Sequence, residues 1–193
     1  ARCVVAERRG DAVTARILVL EGPDGCGKST HADRLAAALR AEGHDARAFH
    51  HAKPATADAV AAALDYARQR QEMVCNQPGA VIVADRWTPS TWCTGSAMSA
   101  VLKLDHRNLF GLTDLAHAEA RWLPRCDGAL LWAPDPVLDA RLKARGTPAN
   151  EMDRKLREAY AWWAGTSVPR FDTSRPADLV AAELLAWARG ALR

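Results

Sequence analysis

The sequence has 193 residues, 49% apolar and 25% charged with a net charge of +3, which suits one globular domain and excludes a dedicated nucleic-acid coat. Its five cysteines (Cys3, Cys26, Cys75, Cys93, Cys126) show neither metal-ligand spacing nor a disulfide framework, so a reducing, cytoplasmic setting is expected. No apolar run approaches the roughly 20 residues of a membrane span, and no apolar signal-peptide core follows the N-terminus.

Residues 1–15 carry no clear period and read as an arm or an appended remnant ahead of a domain over 16–193. Residues 17–20 form a short apolar strand that runs into a Gly-rich turn. Residues 29–40 then read as a helix, with Leu35, Ala36 and Leu39 on one face and Gly43 as its stop. Residues 46–50 predict a second strand, and 57–74 a long Ala-rich helix. The AVIVA run at 80–84 is apolar throughout, as in the centre of a parallel sheet. Residues 85–95, dense in Trp, Thr and Ser, predict a loop. A helix over 112–122 precedes a strand at 129–133, and Pro136 opens a helix over 135–145. A helix at 151–164, a short strand at 168–172 and a closing helix at 177–192 complete the chain. Strands alternate with helices throughout, which predicts a parallel sheet with helices on both faces.

Residues 22–29, GPDGCGKS, fit the spacing G-x-x-x-x-G-K-[ST], with a strand before and a helix after. Backbone N–H groups must curl around phosphate oxygens here, and Gly22, Gly25 and Gly27 permit that approach. The helix aims the positive end of its dipole at the same anion. Lys28 is expected to reach the β- and γ-phosphates of ATP, and the Ser29 hydroxyl to ligate Mg²⁺. Asp24, Cys26 and Thr30 complete the ATP-binding set. Cys26 reads as a small filler contributing its backbone, with a reactive thiol as the alternative.

Asp85 and Arg86 follow the 80–84 strand at its carboxyl end, where open α/β sheets bind ligands. An Asp there can hold Mg²⁺ or accept a proton from an attacking hydroxyl, and an Arg can clamp a phosphate with two parallel bonds. Tyr66 and Arg70 are spaced i, i+4 and share one helix face.

The stretches EGPDGCGKST, DRWTPSTW and DPVLDARLKARG resemble thymidylate kinases in order and spacing, over about residues 16–190. The resemblance implies a P-loop three-layer sandwich: a five-stranded parallel sheet with a short lid, and usually a homodimer. It also implies transfer of the ATP γ-phosphoryl to a nucleotide, with Lys28, Asp85 and Arg86 as catalytic residues. Asp24 matches the acid that contacts the acceptor sugar, and Asp85 and Arg86 match the pair at Mg²⁺ and the acceptor phosphate. Ser90 matches a Ser further along that motif. Tyr66 and Arg70 match residues that stack on thymine and bond its carbonyl. Arg141, Lys143 and Arg145 fall where the family has its mobile lid, and Arg141 and Arg145 are the expected phosphoryl-stabilising cations. Arg154 is a further lid candidate, and residues 171–176 resemble the loop bordering the adenine.

Several positions depart from that pattern. The family's Arg-Glu-Pro after the second strand is replaced by Ala52-Lys53-Pro54, preceded by His50 and His51. Lys53 can substitute as a point charge but not as a bidentate fork. Residues 93–94, Cys-Thr, stand in place of a Tyr-Gln, and residues 100–112 have no counterpart. Three functions are therefore expected in descending order. The first is a kinase of dTMP or a related pyrimidine monophosphate. The second acts on a hydroxyl of a deoxynucleoside, or of a modified base in DNA, as phage kinases of 5-hydroxymethyluracil do. The third is a nucleotide-binding switch or ATPase without an acceptor.

Overall fold

The computed structural model describes residues 15–56, 59–103, 126–165 and 168–193. Five strands form one sheet: β1 (Arg16–Glu21), β2 (Ala46–His50), β3 (Val81–Asp85), β4 (Cys126–Trp132) and β5 (Arg170–Asp172). All pairings are parallel, in the order β2-β3-β1-β4-β5. The described helices are α1 (Lys28–Ala41), α2 (Ala59–Asn76), α3 (Thr88–Leu102), α4 (Asp135–Ala144), α5 (Glu151–Ala164) and α6 (Ala177–Ala191).

Side chains alternate across the pleat, and this divides the core into two layers. Leu18, Leu20, Val83 and Leu131 face α1 and α6, where Leu35, Leu39, Val180 and Leu184 meet them. Ile17, Val19 and Ala84 face the other way, against Trp87 and Met73 of α2. Leu130 packs on Cys93 and Ala97 of α3 and on Leu156 and Tyr160 of α5. The result is the expected sandwich with helices on both faces.

Three expectations require correction, and a fourth position bears on where packing begins. The segment 85–95 is not a loop: α3 begins at Thr88, with Pro89 in its first turn. Ser90, Thr91, Cys93, Gly95 and Ala97 are buried, so this helix has no wet face to give a readable period. Its small residues let α5 pack closely against it. β4 begins at Cys126 rather than 129, because its pairing with β1 continues through Asp127 and Gly128. β5 spans only Arg170–Asp172, not 168–172. Ala15 already packs in the core beside Ala80 and Ile82. The helix expected at 112–122 and residues 1–14 lie outside the described residues. Among the described residues no helix is long and apolar enough to cross a membrane.

Candidate active site

The turn between β1 and α1 curls around the helix N-terminus. Gly27 caps α1 in the left-handed region (φ 83°), no side chain caps the helix, and its first turn holds no acid. Its leading N–H groups are thus open to an anion. Gly22 (φ 144°) passes so close to the Leu131 carbonyl that any Cβ would collide with it. Lys28 is buried; its Nζ donates to the Pro23 carbonyl at 2.8 Å and lies 3.8 Å from Asp24 Oδ1. Cys26 is fully buried, and burial pushes its thiol pKa up, consistent with a packed filler. Thr30 is exposed on the first turn of α1.

Register sets the acceptor side. Leu20 of β1 pairs with Asp85 of β3, and Asp85 also pairs with His50 of β2. Ser29 Oγ therefore reaches across to donate to Asp85 Oδ2 at 2.5 Å. The other oxygen, Oδ1, is buried without a hydrogen-bond partner. A hydroxyl beside a carboxylate with an unfilled buried oxygen suits a hard divalent cation. No group of three or more ligating side chains occurs among the described residues, so phosphates and water would complete such a site.

A cavity of about 720 Å³ opens here. Asp24, Ser29, Asp85 and Arg86 line the end next to the Gly-rich turn, and Lys53 stands exposed at its rim. Tyr66, Arg70, Trp87 and Thr91 line the far wall, while α5 contributes Met152 and Leu156. Arg70 is buried, 5.8 Å from the centre of the Trp87 ring, and Nη2 donates to Thr91 Oγ1 at 3.4 Å. Tyr66 meets the His51 ring edge-on at 5.2 Å. Arg86 ion-pairs with Asp24 and approaches the Tyr160 hydroxyl at 3.4 Å. Burial opposes its charge, but Tyr160, Asp24, Glu21 and Asp85 outweigh that and hold its pKa above the ordinary arginine value.

The proposed acceptor residues Asp24, Lys53, Tyr66, Arg70, Arg86 and Ser90 thus border one cavity. Ser90 is buried, and its hydroxyl is engaged with Glu21 at 2.5 Å. The two lid arginines are not brought there. Arg141 donates to the Thr173 carbonyl at 2.6 Å and to the Gly25 carbonyl at 3.3 Å, tying the cradle to the turn after β5. Arg145 ends α4 exposed and outside the cavity wall, and Arg154 is exposed on α5. Leu138 and Leu142 of α4 flank Gly25, and no residue of α4 lines the cavity.

Sequence reasoning assigned no role to Glu21, Asp33, His50, His51 or Tyr160. Only Glu21 carried a signal: a charged residue closing an apolar strand, next to Gly22. His50 lies 3.0 Å from Asp33 and 3.5 Å from Asp85. Burial opposes its protonation, but the two carboxylates prevail and raise its pKa.

Burial and then the Arg70 charge lower the His51 pKa from 6.5 to about 4. The folded state therefore binds fewer protons than the unfolded chain between those values. This group's contribution to stability is full above pH 6.5 and declines as pH falls towards 4. Between pH 7 and 4.5 the wild type should lose about 2 kcal/mol more stability than His51→Gln. Urea denaturation with chelator present checks this, and parallel losses in both proteins would contradict it.

No protein-family model matches the chain, and no curated protein sequence matches it. Among solved structures it resembles deoxyadenosine kinase from M. mycoides with bound dATP. The TM-score is 0.69 at 14% identity, covering 90% of this chain and 99% of the other. The likeness is one of fold, shared by a chain whose own sheet is five-stranded and parallel with helices on both faces.

Proposed function

We propose that the chain transfers the γ-phosphoryl of ATP to a nucleotide, dTMP or a related pyrimidine monophosphate. One observation carries the reading: a single cavity joins the Ser29–Asp85–Arg86 end of the phosphate cradle to the Tyr66–Arg70–Trp87 wall. Its volume falls in the range of small-molecule sites. Lys28 would cover the β- and γ-phosphates once its contacts with Asp24 and Pro23 exchange for them. Ser29 and Asp85 would hold Mg²⁺, which would supply charge neutralisation to the phosphates. Arg86 would leave Asp24 to clamp the acceptor phosphate. Tyr66 and Trp87 offer flat faces for a base, and Arg70 a donor for its carbonyl. An acceptor phosphate oxygen attacks the γ-phosphorus as the bond to the β–γ bridging oxygen breaks. The attacking oxygen is already ionised and requires no base, and the bridging oxygen leaves on ADP with the electron pair.

A second reading has its own observation. Four carboxylates line the cavity (Asp24, Asp33, Asp85, Asp153) against three permanent cations (Lys53, Arg70, Arg86). That balance suits a neutral alcohol, with Asp85 taking the hydroxyl proton. The acceptor is then a deoxynucleoside or a hydroxymethylated base in DNA. The deciding experiment offers γ-labelled ATP and Mg²⁺ with each deoxynucleoside monophosphate, each deoxynucleoside and hydroxymethylated DNA. Label in a diphosphate supports the first reading, and label in a nucleoside or in DNA the second. A DNA acceptor would also show activity falling steeply with salt. Release of inorganic phosphate alone would leave an ATPase, and no turnover at all would defeat every phosphotransferase reading.

A further inference from the structure

Glu21 is the last residue of β1, and its side chain is wholly buried. A buried carboxylate is costly unless its oxygens are filled. Oε1 accepts the Trp87 N–H at 2.7 Å. Oε2 accepts the hydroxyls of Ser90 at 2.5 Å and of Tyr160 at 3.0 Å. Trp87 and Ser90 open α3, a helix whose N-cap makes no side-chain capping bond. Glu21 supplies the missing negative group from another element.

Arg86 stands between β3 and that helix, with φ 77°. A non-glycine residue persists there only where its surroundings over-determine it. Its N–H donates to the Leu20 carbonyl at 3.1 Å, one residue before Glu21. Its guanidinium reaches the Tyr160 hydroxyl at 3.4 Å, itself bound to Glu21. Backbone and side chain of Arg86 are thus both flanked by groups that end on this one carboxylate.

We infer that Glu21 is a positioning residue for phosphoryl transfer: by holding Trp87, Ser90 and Tyr160 it fixes the Arg86 guanidinium over the acceptor cavity. The inference rests on the reading of Arg86 as the acceptor-side cation. Glu21 is not part of the cavity wall and acts only through its partners. Because the next residue is Gly22, one buried group anchors the donor turn and the acceptor turn together. Burial raises the Glu21 pKa, while Ser90, the Arg86 charge, Trp87 and Tyr160 all favour the ionised form.

The test compares wild type, Glu21→Gln and Tyr160→Phe by amide exchange and by kinetics. In Glu21→Gln, amides of residues 86–95 should exchange about tenfold faster while those of α1 and α6 keep their rates. With the acceptor found in the screen, kcat/KM for that acceptor should fall about 100-fold, the effect of a roughly 1 Å misplacement, with KM for ATP within about threefold. Tyr160→Phe should show the same pattern with a smaller loss. Exchange that is unchanged or rises uniformly overturns the inference, as does a parallel decline in acceptor and ATP constants. If the wild type transfers to no acceptor, the proposed function fails separately. Localised exchange at 86–95 would still establish the anchor, and its absence would still remove it.

Discussion

Asp85→Asn should yield a folded protein whose transfer rate is lower by about 10³-fold, on the scale of the several kcal/mol of charge stabilisation that a well-held metal ion supplies. The substitution keeps the size of the side chain, so packing around β3 is preserved. The charge beside Ser29 disappears, and with it the carboxylate oxygen that lies buried without a hydrogen-bond partner. His50 loses one of its two acidic neighbours as well. The size of the rescue separates the two acceptor readings. If Asp85 serves only to hold Mg²⁺, raising the Mg²⁺ concentration should recover much of the rate. If it also removes a hydroxyl proton, saturating Mg²⁺ leaves the deficit. Steady-state assays across Mg²⁺ concentrations make the measurement. A variant within about threefold of wild type would remove Asp85 from the chemistry.

Arg86→Lys should lower kcat/KM for the acceptor by about 10²–10³-fold with little change in KM for ATP. The charge is kept, so the loss isolates geometry. A guanidinium offers two parallel donors to a phosphate, and an ammonium offers a point charge. The shorter set of donors also cannot serve Asp24 and Tyr160 together, as Arg86 does. For a monophosphate acceptor the deficit should be large. For a hydroxyl acceptor it should shrink to the part that Arg86 plays at the transferring phosphoryl. An equal rise in KM for ATP would instead assign Arg86 to the donor.

The Gly-rich turn and its helix were legible because their geometry is local. Residues 22–29 need one spacing between one strand and one helix, and all of it lies in a single stretch of chain. Asp85 and Arg86 were legible for the same reason, at the end of an apolar run. Glu21 was not, because its partners lie 66, 69 and 139 residues away and only the packed sheet brings them together. Helix α3 was hidden by burial of its small polar residues, which erased the period that marks an amphipathic helix. Arg141 was legible only as a cation in the segment after β4. Its bonds to the Gly25 and Thr173 carbonyls join three separate stretches of chain, which no local pattern reveals.

The pairing of Leu20 with Asp85 has a further consequence. Neighbouring strands are held about 4.8 Å apart by hydrogen bonds, so the sheet acts as a ruler between the Gly-rich turn and the Asp85 carboxylate. That ruler does not depend on the side chains of α2 and α3 that close over the acceptor. Those walls can be exchanged, a tyrosine here or a histidine there, without moving the two ends of the reaction. A scaffold of this kind can be refitted for another small molecule while the bench stays bolted to the floor.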